Sequence, residues 1–184
     1  MRIITGRAKG LRLKSPKSST TRPTTALIKE ALFSSLDSLA DDWARILDLY
    51  AGSGALGIEA LSRGADWVDF VEKVPKCCAI IKENLERTGF TAQAKVYCCS
   101  VSKALTRLDG EYDIVLVDAP YSDPSLLGTL KELFSSHLIG TGSTVAVQHS
   151  TRQPLPSELE QLHLIRDRHY GDTCLSFYKQ EWVN

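Results

Sequence analysis

The 184-residue sequence predicts an α/β fold: a mostly parallel seven-stranded sheet covered by helices on both faces, with an antiparallel C-terminal hairpin. A short basic hairpin and a helix precede it. Three observations predict this. The apolar run Ile46 to Tyr50 breaks into Gly52, Gly54 and Gly57, the Gly-x-Gly-x-x-Gly spacing of a strand, a tight turn and a helix start. From residue 45 onward strand-like and helix-like stretches alternate, which implies right-handed crossovers and a parallel sheet. The last two apolar stretches flank Tyr170-Gly171-Asp172, a turn suited to an antiparallel pair.

The elements follow in order. Arg2-Ile3-Ile4-Thr5 and Leu11-Arg12-Leu13-Lys14 surround Gly6 to Gly10, which reads as a hairpin with its basic side chains outward. Loop composition covers Ser15 to Thr21, and Arg22-Pro23-Thr24-Thr25 ends it. Apolar residues at 27, 28, 31, 32, 36 and 39 predict an amphipathic helix from Ala26 to Leu39, capped by Thr24 or Thr25. Residues 1–40 therefore read as an extension and 41–184 as the main domain. There, strands are expected at Ile46 to Tyr50, Trp67 to Val71, Ala94 to Cys98, Tyr112 to Val117 and Thr144 to Gln148. Helices are expected at Leu56 to Ser62, Pro75 to Arg87, Val101 to Leu108 and Ser125 to His137, with Pro75 in a first turn. Leu162 to Arg168 and Thr173 to Tyr178 form the closing hairpin.

Composition narrows the function classes. A chain 43% hydrophobic and 24% charged is an ordinary globular protein rather than a disordered or fibrous one. No apolar run approaches the roughly 20 residues of a membrane helix, and none follows Met1 as a secretion signal does, so a cytoplasmic monomer is expected. Cys77, Cys78, Cys98, Cys99 and Cys174 show no ligand spacing along the chain, which predicts reduced, mostly buried thiols and no metal. Charge is balanced at 22 basic and 22 acidic residues but unevenly placed. Arg2, Arg7, Lys9, Arg12, Lys14, Lys17, Arg22 and Lys29 stand among the first 29 residues without one acid, leaving 14 basic and 22 acidic in the other 155, a net of −8. A basic segment on an acidic body suggests a polyanionic partner, and the solvated alternative is a plain basic tail.

Ligands of such sheets sit at the carboxyl ends of the strands, near the point where strand order reverses. At the first strand, Asp48 precedes the glycine turn; its charge disfavours a pyrophosphate and favours the ammonium and sulfonium of S-adenosylmethionine. At the second, Glu72 falls 20 residues after Gly52, the place of an acid that accepts hydrogen bonds from a ribose diol. At the fourth stands Asp118-Ala119-Pro120-Tyr121. An exocyclic base amine is a poor nucleophile because its lone pair is delocalised into the ring. A catalyst must hold both N–H groups and favour pyramidal nitrogen, which Asp118 and the Ala119 carbonyl can do. Tyr121 can stack on an extruded base, and Pro120 stiffens the turn.

With these motifs the chain resembles, over essentially its whole length, the bacterial 16S rRNA guanine-N2 methyltransferases of the RsmD type. Arg2-Ile3-Ile4 with Gly10, Arg22-Pro23-Thr24 before Glu30-Ala31-Leu32-Phe33, and Leu47 through Gly57 carry the likeness. Glu59 through Ala65, Phe70-Val71-Glu72-Lys73, Glu83-Asn84-Leu85 and Tyr170-Gly171-Asp172-Thr173 continue it in order. The resemblance implies a Rossmann-like class I methyltransferase fold, S-adenosylmethionine as donor, and N2 of one guanine in small-subunit ribosomal RNA, within an assembled 30S particle. It implies a cofactor site of Thr24, Asp48, Tyr50, Gly52, Ser53, Gly54, Leu56, Gly57, Glu72, Lys73 and Ser100, and an RNA surface of Arg2, Arg7, Lys9, Arg12, Lys14 and Arg22. Two positions depart from the family pattern: Ala119 replaces the first Pro of Asp-Pro-Pro-Tyr, and Cys99-Ser100 stands where Gly-Asp is usual.

Three other readings share parts of this pattern: an adenine-N6 methyltransferase, an NAD enzyme, and a non-catalytic RNA-binding assembly factor. His149 and His169 lie in no recognisable base motif and are read as structural.

Overall fold

The computed structural model describes residues 1–16, 25–121 and 123–180. Lys17, Arg22 and Thr24, named above, lie outside the described residues.

Helix α1 spans Ala26–Leu39 and is capped by Thr25, whose Oγ1 accepts the Ile28 N–H at 3.3 Å. The sheet then builds from β1 (Arg45–Leu49), β2 (Trp67–Glu72), β3 (Ala94–Cys98), β4 (Ile114–Asp118) and β5 (Thr144–Ser150), separated by α2 (Ala55–Arg63), α3 (Pro75–Thr88), α4 (Val101–Leu105) and α5 (Leu126–Phe134). Three strands close it: β6 (Glu158–Leu159), β7 (Leu162–Tyr170) and β8 (Thr173–Gln180). The order is β3-β2-β1-β4-β5-β8-β7-β6, parallel through β5 and antiparallel beyond it.

The sheet thus has eight strands among the described residues where seven are expected. The extra one, β6, is two residues long, too short for any alternation to reveal it. Helices α4 and α5 end earlier than their apolar patterns suggest, at Leu105 and Phe134. Leu108 and Leu138 still bury their side chains, so their burial extends the apolar pattern without extending the helix.

Two apolar layers sandwich the sheet. Ile46, Phe70, Ile114, Leu116 and Phe177 pack against α1, α2 and α3. Leu47, Leu49, Val71, Val117 and Val147 pack against α4 and α5. Strand alternation sends successive side chains to opposite layers, so a strand buried on both sides reads as an unbroken apolar run.

The N-terminal segment doubles back as expected, with one antiparallel bridge, Arg2 to Arg12. Its apolar residues Ile3, Ala8 and Leu13 join the α1 layer. A buried ionic hub fastens it. Lys29 Nζ lies 2.7 Å from Glu59 Oε2 with both side chains fully buried, and donates to the Arg2 carbonyl at 2.6 Å. Glu59 also accepts the backbone N–H groups of Ile4 and Thr5 and the Arg63 Nε–H. Burial lowers the Lys29 pKa against the opposing pull of Glu59. No described helix is long and apolar enough to cross a membrane.

Candidate active site

The strand order reverses between β1 and β4, and there a cleft of ≈ 330 Å³ opens. Tyr50, Gly52, Glu72, Lys73, Ser100, Asp118 and Pro120 line it, bringing together the ends of three strands.

The turn after β1 is built by backbone conformations a side chain resists. Tyr50 stands at φ 58°, in the left-handed region, and its hydroxyl donates to Thr129 Oγ1 at 3.3 Å, both residues lining the cleft. Burial raises the Tyr50 pKa. Gly54, at φ 77°, caps α2. Gly57 serves packing instead: a Cβ there would strike the Phe70 ring and Asp48. Gly57 therefore lets α2 sit directly on the sheet.

Glu72 locks this turn to the neighbouring strand. Its Oε2 accepts the Gly52 N–H at 2.9 Å and its Oε1 accepts the Val74 N–H at 2.8 Å. Each carboxylate oxygen keeps capacity for a second donor, as a ribose diol requires. Asp118 ends β4 on the opposite side of the turn. The Pro120 carbonyl accepts the Asp123 N–H at 2.9 Å, and Asp123 Oδ1 accepts both the Ser125 N–H and its hydroxyl, so the segment after Asp118 is tightly turned into α5.

Asp48 does not line this cleft. It is 1% exposed, on the α2 side of β1, where Oδ2 accepts the Gly57 N–H at 2.9 Å and Oδ1 has no partner. Burial, opposed by the Gly57 hydrogen bond and reinforced by Asp118 and Glu72, pushes its pKa up to about 8, so the carboxyl holds its proton at neutral pH. Asp48 therefore sits behind the glycine turn, outside the cleft in which the charge pattern of the sequence places it. The carboxylates that face the cleft are Glu72, Asp118 and Asp123, against Lys73 among the described lining.

Other expected cofactor residues sort by position. Ser53, Gly54, Leu56 and Gly57 shape the turn without lining the cleft. Ser53 contributes its carbonyl to Asn84 Nδ2 at 2.9 Å, and Leu56 is buried. Ser100 does line the cleft, but its hydroxyl caps α4 by accepting the Lys103 N–H at 3.4 Å. Val71, Val74, Cys77, Cys99 and Val101 supply apolar walls that no spacing rule singled out. Cys78 Sγ, just behind them, lies 2.8 Å from Cys98 Sγ. Ala119 is buried, its methyl in the α5 layer.

Tyr121 opens onto a separate depression lined by Ser150, Arg152, Gln153 and Asp172. Its hydroxyl shares a 2.6 Å hydrogen bond with Thr173 Oγ1 on β8. The last hairpin thus fixes the ring that sequence pattern assigned to base stacking.

The basic residues of the N-terminal segment divide in two. Arg7 is a folding contact: it donates to the Leu61 carbonyl and to Gln93 and stacks 5.0 Å over Phe90. Lys14 pairs with Glu83 at 2.6 Å. Arg2, Lys9 and Arg12 are exposed, with no side-chain partner among the described residues.

The family model described as Conserved hypothetical protein 95 matches residues 1–179. The chain belongs to that family, the RsmD-type methyltransferases. It is 31% identical over 181 residues to ribosomal RNA small subunit methyltransferase D of Escherichia coli (strain K12), covering 98% of this chain and 90% of that protein. It is 33% identical to YlbH of Bacillus subtilis (strain 168) over 98% of this chain and 99% of YlbH. The solved structure of Escherichia coli yhhF superposes with a TM-score of 0.85 at 30% identity, covering 98% of each chain. The mixed sheet with its antiparallel end is the class I methyltransferase architecture of this RsmD-type family.

Proposed function

We propose that the chain transfers a methyl group from S-adenosylmethionine to the exocyclic N2 amine of one guanine in 16S rRNA, in the cytoplasm, as a monomer acting on the 30S particle. One observation carries the reading: Glu72 and Asp118, from the ends of β2 and β4, line one cleft on either side of the glycine turn. The relative named ribosomal RNA small subunit methyltransferase D supports the substrate class.

The cleft fits the cofactor on its own chemistry. Three carboxylates against one Lys along the described lining favour a cationic ligand over a pyrophosphate, and Val71, Val74 and Val101 offer a dry wall for a base. S-adenosylmethionine supplies an electrophilic methyl on a sulfonium. Glu72 holds the ribose diol, with Gly52 and Lys73 beside it. Asp118 accepts from the guanine amine, orients its nitrogen, and receives a proton after attack. The Ala119 carbonyl takes the second N–H, and Tyr121 stacks on the base. Proximity of methyl and nitrogen accounts for much of the acceleration. Residues 1–40 act as an RNA-binding extension of the domain at 41–184, through Arg2, Lys9 and Arg12. In the bridge, Arg2 and Arg12 stand directly opposite each other, a like-charge pair that a phosphate backbone would relieve.

Methyl transfer to naked DNA, naked 16S rRNA and unmethylated 30S particles tests this, with the modified nucleotide mapped. Transfer to guanine N2 in 30S particles is expected. Ribosomal RNA binding without transfer to any substrate would overturn it in favour of an assembly factor.

A further inference from the structure

The antiparallel end of the sheet lines up His, Asp and Cys side chains from three strands. His149 on β5 lies opposite Cys174 on β8, and His169 on β7 lies opposite the same Cys174. Residues paired across strands share a face, and Asp167, two before His169, shares it too. Donor atoms of His149, Asp167 and Cys174 all lie within 4.8 Å of one another. Cys174 Sγ is 2.8 Å from Asp167 Oδ1, and His169 Nε2 is 2.8 Å from Asp167 Oδ2.

The histidine tautomer is set by the backbone. His149 Nδ1 lies 3.1 Å from the carbonyls of both Ser150 and Gln153, which only accept, so Nδ1 carries the proton. Nε2 lies 2.8 Å from Ser176 Oγ, and Ser176 donates its hydroxyl to Asp167 Oδ1 at 2.7 Å, so an ion at Nε2 takes the place of the Ser176 contact. Metal-binding histidines are held this way, one nitrogen donating to a carbonyl and the other turned to the ion.

We propose that His149, Asp167 and Cys174 bind a zinc ion, with water completing the set of four. Nitrogen, oxygen and sulfur donors in a set of four are zinc's preference. His149 and Cys174 are buried while Asp167 and His169 stand at the open edge, so an ion enters from that side. Binding forms a Zn–S bond and breaks the Cys174 S–H bond, the proton leaving to solvent. The role is structural. Thr173, beside Cys174, holds the Tyr121 hydroxyl, and Ser150, beside His149, lines the Tyr121 depression. The ion would tie together the three strands behind that ring, and the site stands independently of the methyl-transfer reading.

The test adds cobalt(II) to the metal-free full-length chain. A site with one thiolate gives a sulfur-to-cobalt charge-transfer band in the near ultraviolet, saturating at about one equivalent and displaced by zinc. Cys174→Ser abolishes the band; Cys98→Ser, at an exposed thiol elsewhere, keeps it. Asp167→Asn, at a half-exposed position compatible with folding, loses zinc affinity at least tenfold, roughly as for other changes at a metal's ligand shells. No band with cobalt, a band that survives Cys174→Ser, or unchanged zinc affinity in Asp167→Asn would overturn the proposal.

Discussion

Glu72 and Gly52, 20 residues apart in sequence, are joined by a 2.9 Å hydrogen bond from the glycine N–H to the carboxylate. The same side chain therefore orders the glycine turn and faces the cleft. Hydrogen bonds to a charged acceptor contribute roughly 1.5–3 kcal/mol each. Glu72→Gln should weaken S-adenosylhomocysteine binding by about tenfold to a hundredfold, read by calorimetry. Unchanged affinity would remove the ribose role.

Asp48 offers a pH test. Its folded pKa of about 8 exceeds the ordinary carboxyl value of 3.8, so between these values the folded state keeps a proton that the unfolded chain releases. Stability from this group is present below about pH 4 and is lost as pH rises toward 8. Asp48→Asn still accepts the Gly57 N–H but does not titrate. Urea midpoints measured at pH 5 and pH 8 should therefore differ less in the variant than in the parent. Cofactor affinity should persist in Asp48→Asn, whereas a loss matching that of Glu72→Gln would restore a direct charge role.

The Lys29–Glu59 pair is fully buried, so removing one partner strands the other. Lys29→Met should cost about 3–5 kcal/mol in urea unfolding. The double variant with Glu59→Gln should lose less than the two single losses combined, by more than about 0.5 kcal/mol, since the residues share one network. Strict additivity would show the pair to be uncoupled.

The two classes of basic residue should separate experimentally. Lys9→Ala and Arg12→Ala each reduce the salt slope of rRNA binding by about 1 and leave unfolding unchanged. Arg7→Ala lowers stability instead, because its guanidinium packs on Phe90 and bonds the Leu61 carbonyl.

Much of this was legible along the chain. The glycine spacing located the turn, and unbroken apolar strands announced a sheet buried on both faces. The burial of Asp48 was not legible, because alternation along β1 decides which layer a side chain enters and a motif does not state that parity. A charge count does not show that Arg7 and Lys14 also have protein partners far away in sequence. The cluster of His149, Asp167 and Cys174 was invisible because its members stand on three strands, and only the register brings them together. The wall residues Val71, Val74 and Val101 carry no signal that separates a ligand wall from core.

The central claim is that Asp118 performs chemistry in the cleft that Glu72 shapes. The direct measurement is methyl transfer to unmethylated 30S particles by Asp118→Ala, beside its S-adenosylhomocysteine affinity. Loss of transfer by about two orders of magnitude or more with binding retained is the predicted result, in the range of a positioned acid–base group. Full transfer with binding retained would contradict the account.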